Sequence, residues 1–143
     1  MAYRYLDEIA TADAAFEAWG KSLEEMFVSA GDATMNVMVQ DLESIRSKDR
    51  REIRLKENEI DILLFELLQE IIFYEDAESL LLRVDKIKIG RAEDHWTLTA
   101  ECYGEEIDRS RHELLVDVKA VTLHHFHVVH TQDGWNARVI LDI

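Results

Sequence analysis

The segment from Asn58 to Ile72 constrains the fold more than any other part of the chain. Ile60, Leu63, Leu64, Leu67, Leu68, Ile71 and Ile72 recur at three- and four-residue spacing, which lines them along one stripe of a helix. Asn58 stands where it would cap the first turn, and Glu66, Gln69 and Glu70 fall on the side expected to face water. A stripe this apolar must be buried against other elements, so this helix is the expected centre of the core. A second helix is predicted after Ser22, which precedes Glu25 by three residues in the form of a capping box. Leu23, Met26, Phe27, Ala30, Val37 and Met38 carry its apolar face for roughly four turns, with Gly31 as a weak point inside it.

Elsewhere the period is two or the segment is polar. Tyr3 to Leu6 and Ala14 to Trp19 read as extended segments on either side of Ala10-Thr11-Ala12-Asp13, and Gly20 ends the second. Gln40 to Asp49 reads as a loop, and Arg50 to Lys56 sets charged residues against Ile53 and Leu55 as a half-exposed strand. Leu80 to Ile89 and Trp96 to Tyr103 are strands joined by the polar stretch Gly90 to His95. In the second, Trp96, Leu98, Ala100 and Cys102 share a face opposite Thr97, Thr99 and Glu101. Leu115 to Val129 is β-rich. Trp135, Ala137, Val139 and Leu141 alternate after Thr131-Gln132-Asp133-Gly134, whose Asp-Gly pair signals a hairpin. Two main helices and about seven strands predict an α+β fold, with the helices packed on one face of a mixed or antiparallel sheet and a strand-rich C-terminal half ending in a hairpin. The 143 residues include no proline and five glycines, so no linker is written into the chain and 1–143 is expected to be a single domain.

Charge narrows the function. Thirty acidic residues against 16 basic ones give a formal net charge of −14 with histidines neutral. Tight binding to RNA or DNA rests largely on phosphate neutralisation by Lys and Arg, so this surface disfavours it, and it disfavours anionic membranes for the same reason. A cation, or a basic patch on another protein, is what such a surface attracts. The lone Cys102 cannot form an internal disulfide and excludes Cys-based zinc clusters. No apolar run approaches the length of a membrane span, and Arg4, Asp7 and Glu8 fall where a signal peptide would need an apolar core. A cytoplasmic, monomeric protein is expected.

Three groups of residues could carry chemistry. His124, His125, His127 and His130 form a cluster in which His125 and His127 would share a strand face, a spacing open to a transition metal, but no Glu-x-x-His or Cys pattern accompanies it. Cys102 with His112, or Ser110 with a histidine, could be assembled as nucleophile and base. Yet the chain has no Gly-x-Ser-x-Gly elbow and no phosphate-cradling glycine loop, and Cys102 falls on an apolar strand face. The third is a hard-cation site. Asp13 lies in a predicted turn, Asp142 is penultimate in an apolar strand, and Ile143 adds main-chain oxygens, all ligand types that Ca²⁺ and Mg²⁺ prefer. Among 30 acidic residues, spacing alone does not select these two.

Four blocks of sequence together resemble the archease family over nearly the whole chain. They are Thr11-Ala12-Asp13 leading to Ala18-Trp19-Gly20; Ser22-Leu23-Glu24-Glu25-Met26-Phe27 with Asn36-Val37-Met38; Leu63-Leu64 with Glu70; and a last group. That group joins Gly104-Glu105, His112-Glu113, Val118-Lys119-Ala120-Val121-Thr122 and Arg138-Val139-Ile140-Leu141-Asp142-Ile143. The resemblance implies an accessory protein of the RNA ligase that joins exons in tRNA splicing, one that promotes guanylylation and multiple turnover of the ligase and is not itself an enzyme. It implies a divalent cation, calcium first and magnesium or manganese as alternatives, held by Asp13, Asp142 and main-chain oxygens of Ile143. It also matches Lys119 to a lysine needed for activation. The competing expectation is a chaperone-like or structural interaction module without a functional metal site. The chain departs from the family pattern where Ala10 replaces a usual histidine, where Leu6 to Ala10 carries extra residues, and where Leu123 replaces a common tyrosine.

Overall fold

The computed structural model describes residues 2–6 and 13–143. The segment predicted as a turn, Ala10, Thr11 and Ala12, with the histidine replacement at Ala10, lies outside the described residues. In chain order the elements are β1 (Tyr3–Leu6), β2 (Asp13–Gly20), α1 (Leu23–Met38), β3 (Asp49–Glu57), α2 (Ile60–Glu78), β4 (Leu80–Arg91), β5 (Trp96–Glu106), β6 (Ala120–Thr131) and β7 (Gly134–Asp142).

Both predicted helices form where the apolar spacing puts them. Ser22 caps α1, its Oγ accepting the Glu25 N–H at 3.1 Å, while the Glu25 carboxylate accepts the Lys21 N–H at 2.8 Å. The helix runs through Gly31 without a break. A Cβ there would lie 3.4 Å from the Ile71 Cδ1 of α2 and 3.8 Å from Val84, ordinary van der Waals contact, so the position faces α2 and β4 without requiring glycine. Asn58 does not cap α2. Glu59 holds the N-cap position without a side-chain bond, and Ser79 closes the helix in the left-handed conformation, φ 54°. Gln69 is half-buried, and its Oε1 accepts the Val121 N–H at 2.9 Å, which ties α2 to β6.

The strands are all antiparallel but are divided between two sheets, in the orders β1-β2-β7-β6 and β3-β5-β4. Helix α1 packs on β1, β2 and β7 and also on β4, while α2 packs on β3, β4 and β5 and also on β6, so each helix touches both sheets. The helices therefore join the sheets. Their apolar surface explains why: α1 buries residues from Leu23 to Met38 on a stripe wide enough to include Ala33 as well as Met26, Phe27 and Ala30, more than one sheet face covers. Leu63, Leu64, Leu67 and Leu68 of α2 are fully buried, as is the Leu98, Ala100 and Cys102 face of β5.

Two predicted boundaries shift. The polar stretch before β3 contains a 3₁₀ turn, Leu42–Ser44, capped by Asp41. The β-rich stretch from Leu115 becomes strand only at Ala120, because Leu115 donates its N–H to the Met38 carbonyl at 2.8 Å and Leu114 bridges Val39, which holds this part of the chain across the end of α1. The predicted hairpin joins β6 and β7 with Thr131 opposite Gly134. Gly134 has φ 135°, and any Cβ there would meet the Gly20 carbonyl, so both backbone and space require glycine.

Candidate functional site

Strand β2 starts at Asp13 and β7 finishes at Asp142, and their antiparallel register sets these two residues opposite each other. On the other side of β7, β6 begins with Ala120 opposite Asp142. One residue earlier, Lys119 donates its backbone N–H to the Asp142 carbonyl at 2.8 Å. Asp13, Lys119, Asp142 and Ile143 thus meet at one corner of the four-stranded sheet, although they come from distant parts of the chain.

Alternation along the strands decides which way these side chains go. Val139 and Leu141 of β7 and Phe16 and Ala18 of β2 are buried against the helices, so Asp142 and Asp13 belong to the outer face. Next to them on that face stand Ala15 and Ile140, paired across the strands and only 2 % and 4 % exposed. Asp13 and Asp142 are half-buried and Lys119 is exposed. Like charges directly opposite across an antiparallel pair destabilise it, and an apolar flank weakens screening by water. Two facing carboxylates and the main-chain oxygens of Ile143 form an all-oxygen donor set that fits a hard divalent cation, whose charge would remove the repulsion. Among the described residues no group of three or more His, Cys, Asp or Glu side chains is placed to hold a metal ion, so the fit rests on two carboxylates and main-chain oxygen.

The other sequence candidates separate in space. In β6 the register shifts between Thr122 and His127, and His125 adopts φ 54°, which breaks the alternation that would align His125 with His127. The rings of His124 and His125 lie 4.0 Å apart, and His130 instead stacks on Trp135 at 4.3 Å. Cys102 is buried in the core, and burial pushes its thiol up to about 11. His112 faces Glu105 and the Asp108 backbone, while the Ser110 hydroxyl donates to Asp108, so neither proposed nucleophile meets a histidine in these bonds.

A second polar cluster has no periodic signal in the sequence. Glu105, at the end of β5, is 3 % exposed, and so is His112. The Asp108 N–H donates to His112 Nδ1 at 2.9 Å, which leaves Nε2 to carry the proton toward Glu105 Oε2 at 3.0 Å. Arg46 donates its N–H to the same carboxylate at 2.8 Å, and Arg111 pairs with its other oxygen while also donating to the Ser44 carbonyl at 2.8 Å. Burial would raise the Glu105 carboxyl, but Arg111, the Arg46 N–H and His112 outweigh it and hold the group at about 2. The cluster fastens the chain after β5 to the loop after α1, and so sets the course of the segment that leads to Lys119.

No helix among the described residues is long and apolar enough to cross a membrane. The sequence profile of the Archease protein family matches residues 3–143. Protein archease of Methanosarcina barkeri is 34 % identical over 142 residues, covering 99 % of this chain and 95 % of that one. The solution structure of protein 1598 of Methanobacterium thermoautotrophicum is similar with a TM-score of 0.85 and 34 % identity, covering 99 % of each chain. A crystal structure described as an archease, possible chaperone, from Thermotoga maritima shares the fold at a TM-score of 0.64 and 20 % identity, over 96 % of this chain and 97 % of that one.

Proposed function

The chain belongs to the archease family, and from that premise we propose that it is an accessory protein of the RNA ligase that joins exons in tRNA splicing, promoting the ligase's guanylylation and repeated turnover. The observation that carries the cation part of this reading is the register that sets Asp13 opposite Asp142 beside the start of β6. Asp13, Asp142 and main-chain oxygens of Ile143 would hold a divalent cation, calcium first, with magnesium and manganese having the same oxygen preference. When bound, the cation would offset the charge of the two carboxylates and would take phosphate or carboxylate oxygens of a partner at its remaining coordination positions.

The protein's own residues supply the rest. Lys119 is exposed and its backbone is tied to Asp142, so its side chain is presented from the cation corner and not from a free loop. The net charge of −14 steers the protein toward a basic partner and away from bare RNA. A ligase that binds RNA and GTP carries such basic surface. Lys119 and the corner then dock near the guanylylation site and hold the ligase in a reactive conformation. A cytoplasmic site of action goes with this role.

The test is guanylylation of the purified ligase with and without this protein, in calcium and in chelator. Multiple-turnover stimulation that needs both protein and cation is the expected result. Stimulation that survives chelation and the Asp13→Ala/Asp142→Ala double substitution would overturn the cation site and favour an interaction module. Absence of any stimulation would overturn the ligase reading itself.

A further inference from the structure

A cleft of about 290 Å³ opens between the last turns of α2 and the segment between β5 and β6. Met38, Leu81 and Leu114 line it, Leu115 and Val116 form its outer wall, and Glu75 and Asp117 stand on its rim. Leu115 and Val116 are adjacent in sequence and 45 % and 44 % exposed, although the chain on either side is fixed by the Leu115 bond to Met38 and by buried Val118. Contact with a partner would remove this aliphatic surface from water.

The rim indicates what kind of group enters. Glu75 is half-buried, and burial together with the charges of Asp117 and Asp76 raises its carboxyl above the ordinary range. Among the described residues neither Glu75 nor Asp117 forms an ion pair, and Arg109, which also lines the cleft, pairs with neither. Carboxylates in a largely polar lining, beside the exposed side chains of Leu115 and Val116, match one kind of side chain, a methylene stem with a cationic head.

We infer that this cleft is a docking site for a Lys or Arg side chain of a partner protein, whose stem lies on Leu115 and Val116 and whose charged head sits between Glu75 and Asp117. Charge complementarity selects the occupant. Glu75 and Asp117 outnumber Arg109 in the lining, so within a protein of net charge −14 the cleft attracts a basic protein surface, and a protein that handles RNA displays Lys and Arg. Asp117 lies two residues before Lys119, so one short segment carries both the docking rim and the lysine at the cation corner. The site resting on the cleft is distinct from that corner, and its identification with the RNA ligase rests on the reading in the preceding subsection.

The experiment measures binding of purified ligase by biolayer interferometry to four proteins: wild type, Leu115→Ser/Val116→Ser, Glu75→Gln/Asp117→Asn, and Asp13→Ala/Asp142→Ala. All the cleft substitutions are at exposed or half-buried positions, and circular dichroism checks that each variant is folded. The two cleft variants should each lose roughly tenfold in affinity, and the Glu75→Gln/Asp117→Asn variant should also lose most of the salt dependence. Unchanged affinity of both cleft variants for a ligase that the wild type binds would overturn the docking site and leave the accessory role standing. A wild type that binds no ligase overturns both. Self-association of the wild type in analytical ultracentrifugation, lost in the cleft variants, would overturn the site by making a second copy its occupant.

Discussion

Asp13 and Asp142 face each other across β2 and β7, beside the buried pair Ala15 and Ile140. Two carboxylates set opposite each other are a structural cost to the sheet unless a positive charge lies between them. The cost of this pairing, and its relief by the proposed cation, can be measured without any ligase.

In chelator, Asp13→Asn should raise the thermal midpoint slightly, because it removes the repulsion. If the corner holds calcium as proposed, wild type should gain about 2.7 kcal/mol at a hundred times the dissociation constant, which is about 5–10 °C for a chain of this size. The Asp13→Asn and Asp142→Asn variants should show little of this gain in differential scanning fluorimetry. An equal calcium shift in wild type and both variants would place the cation elsewhere.

The Glu105 cluster predicts an acid-sensitive contribution to stability. The group titrates at about 2 in the folded chain and near 4.5 when unfolded. The unfolded state binds more protons across that interval, so the contribution is full above 4.5 and is lost as pH falls through about 2. Glu105→Ala leaves Arg111, His112 and the Arg46 N–H without their partner and should cost about 2–4 kcal/mol at neutral pH. Urea midpoints for Glu105→Gln should fall less between pH 5 and pH 3 than those of wild type, on the order of the lost hydrogen bonds.

Glu66 behaves in the opposite sense. Burial, then the hydrogen bond and charge of Glu57, and then the charge of Glu70 push its carboxyl from 4.5 up to about 7. The folded chain here keeps a proton that the unfolded chain has released, so stability is full below 4.5 and declines as pH rises through about 7. Glu66→Gln should match wild type in acid and exceed it at pH above about 8, read from urea midpoints. A wild-type midpoint that stays flat between pH 4.5 and pH 7 would contradict the raised carboxyl and its pairing with Glu57.

Much of this protein was legible along the chain, for a stated reason. Helix α2, the capped start of α1, the Leu98, Ala100 and Cys102 face and the β6–β7 hairpin follow from local periodicity and turn chemistry, which act over a few residues. The family match over residues 3–143 is likewise a property of sequence. Tertiary structure decided what depends on register and on contact between distant segments. It divided the strands between two sheets because the helices expose more apolar surface than one sheet covers, and it turned Gln69 from the expected solvent face onto Val121. It joined Glu105 to His112, Arg111 and Arg46, groups whose spacing carries no helix or strand period. Nothing in the order of residues says that position 13 will face position 142. That pairing exists because β2 and β7 are neighbours in one antiparallel sheet, where a slip of a single residue would exchange the buried and outer faces of both strands.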